Sequence, residues 1–158
     1  MYPVLVRFLY KRVWDVDQAE DLAQEAFVRL LDACPPKPEA WLFTVAGNLA
    51  KNALRGDQRR SHRLTLLAGA SADDAVVGPD RVMVRDETAL AVRRVLDALS
   101  ERDRTLLLLH EDGVPYKELA RIVGVNATSI APLLARARQR FLKSMATSAR
   151  DDITISAS

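Results

Sequence analysis

Apolar side chains recur at intervals of three and four residues along most of this chain, and no segment alternates clearly between apolar and polar side chains. Between positions 19 and 32, for example, Ala19, Leu22, Ala26 and Leu30 follow the helical spacing. This spacing places apolar side chains on one face of an α-helix, whereas a half-buried strand requires strict alternation. The sequence therefore predicts an all-α fold without strands.

Prolines, glycines and capping residues set the predicted helix ends. The run Pro-Pro-Lys-Pro at 35–38 ends the helix before it, because proline lacks an N–H and disfavours the helical conformation in the preceding residue. Asp17, with Glu20 three residues later, is the predicted N-cap of that helix. The predicted helices cover 2–14, 19–32, 39–55, 88–99 and 116–123, with an apolar segment at 106–109 and a last helix that reaches about residue 145.

The helix predicted over 39–55 has a preferred apolar face. Trp41, Val45, Leu49 and Ala53 follow one another at four-residue spacing and are predicted to point into the core. The same spacing makes Trp41 a core residue in this interpretation, although an exposed tryptophan would offer a stacking surface for a nucleic-acid base.

The division of the chain into domains is indicated by a segment in which the helical spacing of apolar residues is weak. Residues 63–86 contain Gly69, Ser71, a Gly-Pro pair at 78–79 and many alanines, a composition typical of a linker, with a short helical turn near 64–67. We therefore predict two small helical domains, 1–62 and 87–146, joined by a flexible linker over 63–86 and followed by a loose tail over 147–158.

Composition argues against several classes of protein. The single cysteine, Cys34, excludes an internal disulfide framework, and the two histidines, His62 and His110, lie too far apart in sequence to suggest a metal site. No nucleophile–base pair and no glycine-rich phosphate loop is apparent, so we expect neither an enzyme nor a bound cofactor or metal. No apolar run approaches the ~20 residues that span a bilayer, and no signal peptide is evident, so a cytoplasmic protein without membrane insertion is expected.

The net charge of only +2 hides a segregation of charge along the chain. Residues 15–32 hold six acidic side chains and one arginine, whereas 48–63 hold five basic and one acidic, and 126–143 hold four basic and none acidic. Basic helices provide the phosphate contacts on which nucleic-acid affinity depends. The acidic segment would be repelled by DNA and favours a basic protein partner.

Residues 116–126 have the spacing of a helix-turn-helix. Ala120 is small where two helices would cross, and Gly124, four residues later, can adopt the left-handed conformation of a tight turn. Val125, Ile130, Leu134, Ala137 and Phe141 continue as the core face of the second helix. An ordinary helical hairpin has the same pattern, but the basic residues that follow favour a DNA-binding motif.

Five segments, taken in order, resemble the extracytoplasmic-function (ECF) sigma factors of the sigma-70 family. The segments are 19–27 (AEDLAQEAF), 41–48 (WLFTVAGN), 99–104 (LSERDR), 113–120 (GVPYKELA) and 136–138 (RAR). The resemblance implies a subunit that directs core RNA polymerase to promoters, helps to melt the minus-ten element and is controlled by an anti-sigma factor. The first domain would correspond to sigma region 2 and the second to sigma region 4.

The resemblance also assigns residues to surfaces. Asp21, Gln24 and Glu25 would bind the clamp helices of one large polymerase subunit, and the second domain would bind the flap of the other as well as the minus-thirty-five duplex. The residues implied in DNA binding are Asn48, Lys51, Asn52, Arg55, Arg59 and Arg60 in the first domain, and Tyr116, Lys117, Thr128, Ser129, Arg136 and Arg138 in the second.

Three departures from the family pattern qualify this assignment. The first is the N-terminus, where only some eighteen residues precede the acidic motif and relatives carry a longer helix. The second is Gly47, which occupies a position where arginine is usual in the family. The third is the recognition helix, which has Ala131, Pro132 and Leu133 where many relatives carry Lys and Arg.

Pro132 also affects where the recognition helix begins. Since proline inside a helix costs about 3 kcal/mol, we expect the helix to begin near Pro132 after an irregular turn capped by Thr128 or Ser129.

The depleted recognition helix leads to two further expectations. We expect the second domain to read its promoter weakly, or through DNA shape and phosphate contacts. An alternative function is a sigma-like module that sequesters an anti-sigma factor without initiating transcription. A third candidate function is a helix-turn-helix regulator with a separate sensing domain, but this function does not account for the first domain.

Overall fold

The computed structural model describes residues 1–68 and 87–156, which are helical apart from short connections, and these residues contain no strand. The all-α prediction is therefore confirmed. The chain divides into two compact units, one on either side of residues 69–86. Most of the predicted linker thus lies outside the described residues.

The first unit is built from three helices: α1 (Tyr2–Val13), α2 (Val16–Ala33) and α3 (Pro38–Ala68). Its core lies where all three meet, and the rings of Phe8 and Phe43 pack edge to face there, with centroids 5.3 Å apart. The α2 side of this core consists largely of alanine, which allows close approach of its neighbours. The buried apolar residues of the unit are Leu5, Phe8, Leu9, Val13, Ala19, Leu22, Ala23, Ala26, Leu42, Phe43, Ala46, Leu49 and Ala50.

Helix α2 begins earlier than the sequence predicts. Asp15, not Asp17, is the N-cap: its backbone is extended and its Oδ1 accepts a hydrogen bond from the Gln18 N–H at 2.9 Å. Asp17 instead lies in the first turn. The prediction of Asp17 was wrong because each aspartate can cap a helix, and only the backbone conformation decides which one does.

Replacing Asp15 by alanine is expected to lower the free energy of unfolding of the first unit by about 1 kcal/mol, because the first turn loses its side-chain acceptor. Asp17→Ala is the matched control and should cost less, since it removes only an interaction with the helix dipole. Both tryptophans, Trp14 and Trp41, lie in this unit, so denaturant titrations followed by tryptophan emission measure the difference. Equal losses for the two variants would contradict the assignment of the cap.

The core-facing side of α3 is shifted by one residue from the predicted face. Trp41 and Val45 are only half-buried, whereas Leu42, Phe43 and Ala46 are buried. Of the predicted face, Leu49 is buried as expected. The prediction for Trp41 was wrong because apolar residues recur every three to four positions in both frames, and packing against α1 and α2 selects one of them.

Helix α3 also continues past its predicted end at residue 55, through the first part of the predicted linker, to Ala68. No proline interrupts 39–68, and the residues there are mostly good helix formers. Gly56 is accommodated inside the helix, with open space around the position of a Cβ. Among the α3 side chains that are described, none after Ala50 is buried, so the second half of α3 offers its side chains as surface.

The second unit contains α4 (Glu87–Ala98), α5 (Glu101–Glu111), α6 (Tyr116–Val123) and α7 (Ile130–Ser156), with a short 3-10 turn (Ala127–Ser129) before α7. Helix α7 runs through most of the predicted loose tail, so that prediction was wrong. After Pro132 the chain has neither proline nor glycine to end the helix. The buried apolar residues are Val95, Leu106, Leu109, Val114, Leu119, Ala120, Ile122, Ile130, Leu134 and Ala137.

Residues of the LSERDR segment hold the second unit together. Ser100 caps α5 by accepting a hydrogen bond from the Asp103 N–H at 3.2 Å. Arg104 donates from Nε to the Leu96 carbonyl at 2.8 Å and from Nη2 to the Asp97 carbonyl at 2.7 Å, which satisfies acceptors at the end of α4. Asp103, buried, accepts a bond from Arg140 of α7 at 2.6 Å. The segment therefore connects three helices through polar groups.

Among the described helices, none combines the length and the apolar composition needed to cross a bilayer.

Candidate functional site

Helix α2 presents an acidic surface on the side opposite the core. Asp21, Gln24 and Glu25 are all exposed, while the buried side of the same helix carries alanines and Leu22. Glu25 accepts a hydrogen bond from Arg29 Nη2 at 2.5 Å, an exposed pair one turn apart. Since exposed pairs of this kind contribute little to stability, Glu25 can exchange Arg29 for a partner at small cost.

Two exposed apolar residues extend this surface and were missed by the sequence analysis. Val28 is 58% exposed and Leu31 is 75% exposed. Val28 lies two turns after Asp21, and Leu31 lies two turns after Gln24, so all four share one side of α2. We refer to Asp21, Gln24, Glu25, Val28 and Leu31 as the acidic face. The available signal was the presence of large apolar residues on a helix whose core side is already complete without them.

Helix α3 presents a basic and amide-rich surface. Asn48, Lys51, Asn52, Arg55 and Arg59 are exposed, and their spacing of three and four residues places them along one side of the helix. We call these five residues the basic stripe, which is about 17 Å long from Asn48 to Arg59. They lie on the side of α3 that faces away from the first unit's core.

Arg60 lies outside the basic stripe, whereas Trp41 lies beside it. Arg60, although exposed, is rotated about a third of a turn from it toward the side of α3 that carries Leu42 and Leu49. The structure therefore does not bring Arg60 together with the other five predicted residues. Half-buried Trp41, in contrast, lies two turns before Asn48 on the same side, so the indole borders the stripe.

In the second unit, α6 and α7 form the predicted tight turn between two helices. Gly124 ends α6 with φ 73°, a left-handed conformation, and the Val125 N–H donates to the Ala120 carbonyl at 2.9 Å. Ala120 is buried, as its small size at the crossing predicts. Ile130, Leu134 and Ala137 are buried as the core side of α7, whereas Val125 and Phe141 are half-buried.

The start of α7 explains how the chain tolerates Pro132. The 3-10 turn at Ala127–Ser129 precedes the helix, and α7 begins at Ile130, so Pro132 is its third residue. The first N–H groups of a helix have no acceptor within it, so the N–H that proline lacks is not missed there. The prediction of an irregular turn and a helix start near Pro132 is confirmed. The prediction that Thr128 or Ser129 caps this turn was wrong, because Asn126 is the residue before the turn and no side chain caps it.

The other residues predicted to bind DNA occupy several places in this unit. Tyr116 and Lys117 are exposed at the start of α6, where the Tyr116 ring lies 5.8 Å from that of His110. In the 3-10 turn, Thr128 is exposed and Ser129 half-buried. Arg136 and Arg138 are both exposed, but two residues apart they point to different sides of α7. They therefore flank the helix rather than form one cationic cluster.

Arg140 is paired with the buried Asp103, although its own side chain is 55% exposed. This bond occupies part of a guanidinium that its position in the sequence would assign to the basic surface. Within the described ranges, no group of three or more histidine, cysteine or carboxylate side chains is placed to hold a metal ion.

Comparison with known proteins connects these surfaces to a family. The model of Sigma-70 region 2 matches residues 1–60, and the model of Sigma-70, region 4 matches residues 89–141. The RNA polymerase sigma-H factor of Pseudomonas aeruginosa is 30% identical over 155 residues, which cover 90% of this chain and 78% of that protein. The chain belongs to the sigma-70 family, as an ECF sigma factor. The region 2 match contains both the acidic face and the basic stripe. The region 4 match contains the whole of α6 and the first turns of α7. The region 4 match therefore favours a helix-turn-helix over a plain helical hairpin.

Two further relatives and one solved structure are also similar to this chain. The "Probable ECF RNA polymerase sigma factor SigI" of Mycobacterium tuberculosis is 33% identical over 148 residues, 89% of this chain and 51% of that protein. The chain thus spans about half the length of that relative. The ECF RNA polymerase sigma-E factor of Escherichia coli is 28% identical over 151 residues, 87% of this chain and 79% of that protein. A solved complex of the sigma factor RpoE and the anti-sigma factor NepR from Bartonella quintana aligns with a TM-score of 0.47 at 23% identity, over 91% of each chain.

Proposed function

We propose that this chain directs core RNA polymerase to promoters and helps to melt the minus-ten element, as a transcription initiation factor without catalytic residues of its own. The observation that carries the proposal is the placement of two chemically opposite surfaces on one three-helix unit. The acidic face lies on α2 and the basic stripe on α3, and both are directed away from the core that these helices share. Polymerase and DNA would therefore each meet a surface of suitable charge on this unit.

The acidic face is suited to a partner that is both basic and apolar. Asp21 and Glu25 supply charge, Gln24 supplies a donor and an acceptor, and the exposed Val28 and Leu31 supply area whose burial favours association. A DNA phosphate backbone would be repelled by the same charges. We assign this face to the clamp helices of a large polymerase subunit.

The basic stripe is suited to a single strand released from the duplex. Its arginines and lysine attract phosphates, while the amides of Asn48 and Asn52 can donate to and accept from base edges. Holding a flipped base must offset an unstacking cost of a few kcal/mol, which a preformed helix does better than a mobile loop. The half-buried Trp41 beside the stripe would offer its exposed part to such a base.

The second unit would anchor the complex upstream. Tyr116 and Lys117 at the start of α6 would contact phosphates, while the exposed side of α7 would enter the major groove of the minus-thirty-five duplex. We assign binding of the polymerase flap to this unit as well, and control of both units to an anti-sigma factor. Since its partner polymerase is cytoplasmic, the chain would act in the cytoplasm.

Charge reversal within the basic stripe should impair melting but not binding to polymerase. Arg55→Glu and Arg59→Glu are each expected to lower run-off transcription about tenfold or more, because a phosphate contact is replaced by repulsion. Arg60→Glu, the same change outside the stripe, should lower it by less than about threefold. Permanganate reactivity of unpaired thymines in the minus-ten region measures the melted fraction. If Arg60→Glu lowered transcription and melting as much as Arg55→Glu and Arg59→Glu, the placement of the DNA-binding residues on one side of α3 would be contradicted.

The function itself is tested with the purified chain and core polymerase on a library of genomic fragments. Specific transcripts that begin at a shared sequence element are the expected result. Binding to core polymerase would be measured separately by fluorescence anisotropy of the labelled chain. Failure to bind core polymerase, together with tight binding to an anti-sigma factor, would overturn the proposal in favour of a sequestering module.

A further inference from the structure

We infer that the recognition helix α7 reads the upstream promoter element through the methyl groups of thymine, so that this sigma factor selects A·T base pairs where guanine would otherwise be read. The inference rests on the proposed function, because it concerns the base specificity of the same DNA-binding surface. It depends on which side chains of α7 point outward and on what these side chains can contact in a major groove.

The outward side of the first two turns of α7 is settled by burial. Ile130 and Leu134 are buried, which orients the helix, and Ala131, Pro132 and Ala135 are exposed on its opposite side. The N-terminal residues of a recognition helix are the ones that meet base edges in a helix-turn-helix. In these two turns the base-reading side of α7 therefore consists of two methyl groups and a pyrrolidine ring, and the exposed Gln139 follows on the same side one turn after Ala135. Glutamine is suited to adenine, so Gln139 does not restore the readout of guanine.

These groups cannot make the hydrogen bonds on which guanine readout depends. Guanine is read through its O6 and N7 atoms by a bidentate Arg or Lys, and an apolar surface would leave these acceptors without donors. Arg136 lies at the edge of the base-reading side, and Arg138 lies on the other flank, where phosphates run. Arg140 is held by Asp103. Thymine, in contrast, offers a C5 methyl in the major groove with which alanine and proline can pack.

This inference differs from readout of shape alone in its dependence on a single chemical group. Shape and phosphate contacts depend on groove width and on the backbone, neither of which requires the thymine methyl. Removing that methyl while keeping the base pair therefore separates the two modes of recognition. Replacement of thymine by deoxyuracil makes this change and leaves every hydrogen-bonding group in place.

The experiment begins with selection of duplexes from a library randomised upstream of the minus-ten element, once with the reconstituted holoenzyme and once with the full chain alone. The expected result is an upstream element rich in A·T pairs. Each thymine of the selected element is then replaced by deoxyuracil. A contacted methyl should lower affinity about fourfold, since burial of one methyl group contributes about 0.8 kcal/mol. Replacement of thymines in the spacer is the control and should have no effect.

Two protein variants tie the effect to α7. Ala135→Ser places a hydroxyl on the base-reading side and should reduce the deoxyuracil penalty to below about twofold. Ala146→Ser, an exposed position on the same side of α7 three turns later, carries the same helix-propensity cost and should leave the penalty unchanged. An element selected for guanine, or an affinity insensitive to deoxyuracil at every position, would overturn the inference.

The two arms of the selection separate this inference from the proposed function. Failure of the chain to bind core polymerase overturns the proposed function, while duplexes selected by the chain alone still decide the readout. Initiation from an element that depends on guanine overturns the inference and leaves the proposed function standing.

Discussion

Replacing Arg140 by methionine is expected to lower the free energy of unfolding of the second unit by about 3 kcal/mol. Arg140 Nη1 donates to Asp103 Oδ2 at 2.6 Å, and the Asp103 side chain is 1% exposed. The other carboxylate oxygen, Oδ1, is also buried and has no hydrogen-bond partner within the described residues. Removal of the guanidinium therefore leaves a buried negative charge without a counter-charge. The estimate lies at the lower end of the range for broken buried pairs because Arg140 itself is 55% exposed.

Replacing the other partner, Asp103, by asparagine should lower the free energy of unfolding by less than Arg140→Met does. Asp103→Asn removes the charge that is expensive to bury, and the partly exposed Arg140 can turn toward water, so a loss of about 1 kcal/mol is expected. Arg136→Met, at an exposed position one turn before Arg140, is the control and should change stability by less than about 0.5 kcal/mol. This asymmetry distinguishes a buried carboxylate that needs compensation from a simple surface ion pair.

The two units allow these effects to be measured within one chain. Far-UV circular dichroism follows helix loss in both units during denaturant titration, whereas tryptophan emission follows only the first, where Trp14 and Trp41 lie. Arg140→Met should shift the dichroism transition of the second unit and leave the emission transition in place. An unchanged dichroism curve, or equal losses for Arg140→Met and Asp103→Asn, would contradict the prediction.

Reversing the charge of Asp21 is expected to weaken binding to core polymerase about 100-fold. The proposed clamp-binding surface is centred on this carboxylate, and loss of one partner of an interfacial charge pair costs about 2–5 kcal/mol before repulsion is added. A drop of 100-fold corresponds to about 2.8 kcal/mol. Transcription should fall in parallel, because a sigma factor that does not bind core polymerase cannot bring it to a promoter.

Glu20→Arg is the matched control for Asp21→Arg. Glu20 is the preceding residue of α2, it is exposed, and the substitution changes the charge by the same amount. It points about 100° away from Asp21, so a loss of less than about threefold is expected. Anisotropy titrations with core polymerase at several salt concentrations measure both variants. Equal losses would indicate a long-range effect of net charge, and no loss for Asp21→Arg would place the polymerase-binding surface elsewhere.

Much of the fold could be predicted from the sequence because helices leave strong local signals. Apolar spacing located the helices, and the glycine at 124 together with the alanine at 120 placed the tight turn before α7. The prolines at 35–38 correctly ended one helix before the next. Family resemblance then identified the chain through an ordered set of short segments, each weak alone. The assignment of DNA- and polymerase-binding residues within these segments stays a prediction.

The errors arose where local signals allowed two answers. Asp15 and Asp17 can each cap α2, and two frames of apolar residues can each face the core from α3. Helix ends were also placed too early at 55 and 145, because a helix nucleated by packing continues through any sequence that contains no strong breaker. Sequence spacing alone does not contain the contact that resolves these choices.

By itself, then, the sequence determined the all-helical fold, the segregation of charge and the family, since each depends on residues near one another in the chain. Only the tertiary structure decided which charges are available to a partner. Arg140 belongs to the basic run of α7 in sequence, but its guanidinium is paired with the buried Asp103, 37 residues away. Val28 and Leu31 are large apolar residues whose location the sequence analysis left unassigned, and the structure leaves both exposed because Leu22 and three alanines form the buried side of α2. The reason is physical: burial and ion pairing are set by which helices pack together, and that packing joins residues far apart in the chain.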